Sequence, residues 1–252
     1  MTSTTEGQVD GREAMIELLW VGRERPSRGP KPALDLAQIS EAALRIADAE
    51  GFAAVSMQRV ASELAFTKMA LYRYVTGKAE LTAIMIEAAV GEPPDLGAVA
   101  GGWRAKVIVF AELLAATWQR HPWLPLVTMG DRVMGPKEVG WTECAVSALT
   151  GTGLDGTEKM DAVFLISGHI RNTQSTATAG TQPWSVDEHL DPALNGLVHD
   201  YADRFPALTA AIASASTSAA GARPSADNGR AFGLERILDG LEALVATRTT
   251  SA

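Results

Sequence analysis

The chain has 252 residues, enough for one large domain or two modest ones, and is 46% apolar and 21% charged, which excludes a disordered or fibrous protein. A net charge of −8 argues against nonspecific nucleic-acid binding by the chain as a whole. A single cysteine, Cys144, excludes a disulfide framework and a thiolate-rich zinc site, and points to a reducing, cytoplasmic setting.

The opening "MTSTTEGQVDGREAMIELLW" carries acids and lacks a basic segment ahead of a long apolar core, so no secretory signal is expected. No run of ~18 apolar residues occurs, so no membrane partner is expected. Residues 14–20 form a short apolar helical segment. "VGRERPSRGPKPALD" follows, with four basic residues, three prolines and two glycines. It reads as a flexible basic arm. Residues 1–34 are thus an N-terminal extension and arm. The basic share is concentrated early: residues 1–22 carry −3, residues 23–80 carry +2, and the remainder carries −7.

From Asp35 the pattern turns helical, with Leu36, Ile39, Ala43, Ile46 and Ala47 recurring at three- and four-residue steps until Gly51. Ser56 has the character of an N-cap for a helix whose apolar face is Met57, Val60, Ala61 and Leu64. "AFT" breaks that helix, a second short helix runs to about Tyr74, and "TGK" breaks again. A longer helix starts near Lys78 and fades at "GEPPDLG", where two prolines oppose continuation. Amphipathic helices are expected near 102–120, 136–150, 156–179, 189–203 and 229–247, with "HPWLP" and "GTGLDG" as joints. Residues 206–228 are low-complexity Ala/Ser/Thr, a mobile loop or a weak helix. No period-two alternation stands out, so the expected fold is all-α.

Helix, three-residue turn and short helix make a helix-turn-helix layout. At about 100° per residue, with Leu71 facing inward, Thr67 and Val75 also face the core. Met69 and Arg73 then point outward, Ala70 and Tyr72 flank them, and Lys68 sits at an edge. Such a face suits a major groove: Arg and Lys donate to guanine, small or apolar groups meet a thymine methyl, and tyrosine hydroxyls donate to phosphates. Lys78 stands in the first turn of the next helix, where free N–H groups favour phosphate. Plainer readings stand beside these. A tyrosine on a short helix is more often semi-buried core, which suits Tyr74. Lys78 alone would be solvated surface, Arg73 a salt-bridge partner, and Ser56 simply a cap. The joint placement favours the functional reading.

The stretch "ISEAALRIADAEGFAAVSMQRVASELAFTKMALYRYVTGKAEL" resembles the DNA-binding domain of the tetracycline-repressor (TetR) family of transcriptional regulators. The resemblance rests on Gly51 after the first helix, Val60 to Leu64, the run Leu71-Tyr72-Arg73-Tyr74-Val75, and Lys78 to Leu81. One departure is Ala65, where the family often has Gly in the turn; alanine tolerates that turn less well if φ is positive. "WRAKVIVFAELLAATWQRHPWLP", "GPKEVGWTECAVSALTGTGLD" and "FGLERILDGLEAL" are similar in layout to the regulatory domain of the tetracycline-repressor subgroup.

The resemblance implies a three-helix DNA-binding domain over 35–82 and a larger helical ligand-binding and dimerisation domain over 83–252. Its partners would be a double-stranded DNA operator, a small apolar or aromatic effector and a second copy of the chain. By matched position, Lys68, Met69, Ala70 and Arg73 would face base edges. Thr67, Tyr72 and Lys78 would meet phosphates, Tyr74 would support the helix or touch backbone, and Ser56 would cap or donate to phosphate. Arg23, Arg25, Arg28 and Lys31 would reach phosphates or a minor groove, or form a plain linker. The effector cavity would draw on Trp118, His121, Trp123, Met129, Met134, Trp141, His169 and Asn172, although residues of these types are more often ordinary core than ligand contacts. The histidines are dispersed, so neither a metal nor a cofactor is expected. Dimerisation would use helices 156–179 and 229–247. The second carries the stripe Leu234, Ile237, Leu238, Leu241, Leu244 and Val245, with Gly233 and Gly240 permitting close approach. The alternatives are an all-helical enzyme, for which Cys144 with His121 or His169 is the faint site, and a protein-binding adaptor.

Overall fold

A computed structural model describes residues 11–22, 34–179, 192–218 and 225–250. The basic arm, including Arg23, Arg25, Arg28 and Lys31, lies outside them, as do residues 219–224 of the low-complexity stretch. All regular structure among the described residues is helical. Helix α1 (residues 11–16) ends in a π-helical turn, Glu17–Val21. The helices that follow are α2 (Leu36–Glu50), α3 (Met57–Glu63), α4 (Lys68–Tyr72), α5 (Lys78–Val90), α6 (Gly102–Arg120) and α7 (Leu124–Val127). Then come α8 (Pro136–Ala148), α9 (Gly156–Ala179), α10 (Pro192–Asp200), α11 (Pro206–Ser218) and α12 (Ser225–Thr250). The all-α expectation holds. The chain divides into two compact units, residues 1–163 and 164–252, with the boundary inside α9.

Local chemistry sets the helix limits. Asp35 and Gln38 form a reciprocal capping box at the start of α2, each side chain accepting the other's backbone N–H at 2.9 Å. Gly51 closes α2 at φ 85°, a conformation that suits glycine. Pro136 opens α8, where its missing N–H costs nothing. A carboxylate from another helix caps the same end: Glu87 of α5 accepts from the N–H groups of Lys137 (2.9 Å) and Glu138 (3.2 Å). Gly135 makes room for it, since a Cβ there would lie 2.2 Å from the Glu87 carboxyl carbon. "HPWLP" is more than a joint, because its last two residues, Leu124 and Pro125, begin the short helix α7.

In the first unit α2 packs on α5 and α3, α3 on α4, and α5 on α7 and α8. Ile39, Ile46, Val60, Leu71, Val75, Leu81 and Met85 are fully buried and join these helices into one apolar core. Arg59 of α3 bridges Glu50 (2.7 Å) at the end of α2 and Glu63 (2.8 Å) on its own helix. Those carboxylates push the guanidinium pKa above its ordinary value. In the second unit, Leu234, Leu238 and Leu241 of α12 are buried, as are Ile166 and Ile170 of α9. Half the α12 stripe is therefore consumed within the chain. His169 Nε2 donates to the Arg230 carbonyl at 2.9 Å, and the ring fills the space over Gly233. Only ring nitrogens bearing hydrogen donate to a carbonyl, so this Nε2 is protonated.

Candidate nucleic-acid interface

The helix-turn-helix is made by α3, a tight turn and α4. Ser56 caps α3, its hydroxyl accepting from the Arg59 N–H at 3.1 Å. The turn then runs through Ala65 at φ 57°, the one non-glycine residue with positive φ among the described residues. The glycine departure thus falls at a position where L side chains are strained. Thr67 caps α4, accepting from the Ala70 N–H at 3.2 Å. It is exposed and its backbone is extended, so it does not face the core as the helical projection requires. The projection fails there because α4 begins only at Lys68.

Helix α4 has five residues, too short to persist alone. Leu71 and Val75, both fully buried, fasten it to the core. The opposite face is open: Met69 is 73% exposed, and Lys68, Tyr72 and Arg73 are exposed as well. The Lys68 ammonium lies 5.5 Å from the Tyr72 ring centroid, so cation and phenol form one surface. Ala70 and Tyr74 are half-buried. At the start of α5, the buried Glu80 carboxylate accepts from the Thr76 N–H and hydroxyl, both at 2.7 Å. That carboxylate already meets the positive end of the α5 dipole. Lys78 is exposed, with its ammonium 4.9 Å from the Phe52 ring centroid.

The residues expected to line an effector cavity fall in different places. His121 and Trp123 are buried against one acid that sequence reasoning missed, Asp48 of α2. Its carboxylate accepts from Trp123 Nε1 at 2.7 Å and lies 2.9 and 3.0 Å from His121 Nδ1. An ionised carboxylate only accepts, so Nδ1 carries the proton. Trp123 also stacks on Phe52, with centroids 5.9 Å apart. These contacts span more than 70 residues of chain, and no local pattern announces them. Trp118 is buried in α6. Trp141 is buried beside Phe110 and donates to the Gly91 carbonyl at 3.3 Å. Met129 and Met134 are exposed. His169 and Asn172 belong to the second unit, the other six to the first. A cavity of about 710 Å³ opens in the first unit, and of the eight expected residues it is lined by Met129 alone.

Cys144 is half-buried and donates to the Pro94 carbonyl at 3.0 Å. Burial first, then the nearby Glu143 and Asp95 charges, raise its pKa. A thiol so placed is less nucleophilic than an ordinary one at neutral pH. Among the described residues no group of three or more His, Cys, Asp or Glu is placed to hold a metal ion, and no helix is long and apolar enough to cross a membrane.

A capped helix-turn-helix with an exposed cationic and aromatic face, followed by a larger helical region, is the layout of a DNA-binding transcriptional regulator. Residues 39–83 match the family described as "Bacterial regulatory proteins, tetR family", and residues 94–245 match "Tetracyclin repressor-like, C-terminal domain". The chain belongs to the TetR family of transcriptional regulators. It is 38% identical over 242 residues to the HTH-type transcriptional repressor DrrR1 of Streptomyces coeruleorubidus, covering 92% of this chain and 86% of that one. Its fold is similar to apo ActR from Streptomyces coelicolor (TM-score 0.67, 23% identity, 88% of this chain and 100% of that one). It is equally similar to the same organism's ActR in complex with (S)-DNPA (TM-score 0.67, 25% identity, 86% and 100%).

Proposed function

We propose that the chain is a cytoplasmic, homodimeric repressor that a small molecule releases from a palindromic operator. The observation that carries this reading is the α4 face, where Lys68, Met69, Tyr72 and Arg73 are exposed above a buried Leu71 and Val75. Lys68, Met69, Ala70 and Arg73 read base edges. Thr67, Tyr72, Lys78 and Ser56 meet phosphates, and the half-buried Tyr74 holds the helix. With Glu80 at the start of α5, Lys78 acts through its own ammonium more than through the helix dipole. Residues 35–82 form the DNA-binding domain, and 83–252 bind effector and partner copy. The exposed Phe164 and Leu165 on α9 and Phe232 on α12 support a helical dimer surface there. The (S)-DNPA complex of ActR supports a small-molecule effector. Its binding would shift the balance between arrangements of the paired reading heads.

The test is binding to the DNA flanking the chain's own gene. Tight, steeply salt-dependent binding is expected. Arg73→Ala should weaken it by about 1–3 kcal/mol, roughly 5- to 150-fold, and relax preference at one base pair. Tyr72→Phe should weaken it less and uniformly. Absent binding, or binding indifferent to both changes, would sink the reading.

A further inference from the structure

The cavity in the first unit is not built from the central helices alone. Met15 of α1, Phe52 after α2, Ala83 and Ile86 of α5, and Met129 and Val133 after α7 supply its apolar walls. Its volume, about 710 Å³, lies within the roughly 300–1,000 Å³ of small-molecule sites. The N-terminal extension is fastened over it. Arg12 holds Asp131 through two bonds of 3.0 and 3.1 Å, Trp20 Nε1 donates to the Met134 carbonyl at 3.0 Å, and Leu18 is buried.

Three cations line this space, and two are neutralised: Arg12 by Asp131 and Arg132 by Glu138. The third, Lys78, has no ion-pair partner among the described residues and rests over the Phe52 ring. An apolar chamber with one uncompensated ammonium at its wall selects a molecule of matching chemistry. We infer that the cavity binds a planar, largely apolar molecule bearing one acidic group, with that group on Lys78 and its ring system against Phe52 and Ile86. The inference rests on the regulator reading for its consequence. Lys78 is also a phosphate-contacting residue in that reading, so an occupied cavity withdraws a DNA contact directly from the reading head.

The probe is 8-anilinonaphthalene-1-sulfonate, an aromatic sulfonate, titrated by fluorescence into the full-length protein. One blue-shifted site per chain is expected, weakened by salt. Ala83→Trp and Val133→Trp, which fill the chamber from two different segments, should each weaken binding at least tenfold while circular dichroism reports an intact fold. Lys78→Met should weaken binding several-fold and abolish its salt dependence. A probe site that is absent, or indifferent to both filling changes, overturns the cavity. One indifferent to Lys78→Met overturns the anion assignment. Binding of the wild-type protein to its flanking DNA, measured without probe, decides the regulator reading separately. If DNA binds but saturating probe does not weaken it, the shared use of Lys78 is refuted while the site stands.

Discussion

Asp48 joins the first helix of the DNA-binding segment to the turn between α6 and α7, and its removal is the sharpest test of how the first unit is held. In Asp48→Ala two donors, His121 Nδ1 and Trp123 Nε1, lose their acceptor while both rings stay buried. Hydrogen bonds to a charged group contribute about 1.5–3 kcal/mol each, and an abandoned buried donor costs about 1–3 kcal/mol. The Asp48 side chain is 33% exposed, so water enters and screens part of this. The expected net loss is about 2–3 kcal/mol. Asp48→Asn separates shape from charge. Its carbonyl oxygen keeps the Trp123 bond, but its amide faces a protonated Nδ1. The imidazole must move its proton to Nε2 before it can accept. That rescue leaves a loss of about 1 kcal/mol. Urea unfolding read by tryptophan fluorescence gives both values from the midpoint at constant slope. A loss below about 0.5 kcal/mol for Asp48→Ala, or Asn no better than Ala, would refute the argument.

The strained turn offers the opposite sign: Ala65→Gly should stabilise by up to about 1 kcal/mol, since φ 57° costs alanine about 1–2 kcal/mol, glycine's extra unfolded freedom takes back roughly half, and the lost methyl is exposed. Thermal melting checks it. The two α12 glycines should separate cleanly. Gly233→Ala drives a Cβ to within 2.2 Å of the His169 ring and should cost about 1–3 kcal/mol, whereas Gly240→Ala meets nothing within 4 Å and should gain up to about 1 kcal/mol of helix propensity. If the dimer passes over Gly240, sedimentation will show weaker self-association in that variant alone. A raised Cys144 pKa leaves less thiolate at a given pH. Its reaction with a disulfide reagent at pH 7–8 should therefore be slower than that of an ordinary thiol and should climb with pH beyond the ordinary midpoint.

Much of the first unit was legible because its signals are local. Asp35, Gly51, Ser56 and the apolar steps between them act within a turn or two of helix, so caps and period sufficed. Even Ala65 could be flagged, since a family habit of glycine marks a backbone demand. The projection of α4 placed Met69, Arg73, Leu71 and Val75 correctly, and failed at Thr67, where the helix had not begun. The interior of the regulatory region was not legible. His121 and Trp123 lie more than 70 residues from Asp48, and only the fold brings the three together. Glu87 capping α8 is equally invisible, because nothing near residue 87 names residues 137 and 138. The cavity escaped for the same reason: its walls come from four separate segments, one of them the N-terminal helix around Met15, which nothing local in the sequence ties to the others.

The brevity of α4 carries a consequence for how such regulators diversify. Two buried anchors, Leu71 and Val75, satisfy the fold, while the side chains of Lys68, Met69, Tyr72 and Arg73 are exposed to solvent. Exchanges at those four positions alter stability by only about half a kcal/mol. On the proposed role of those four side chains, operator preference is free to drift by single substitutions through folded intermediates, and a gene duplicate could acquire a new binding site without first losing its structure.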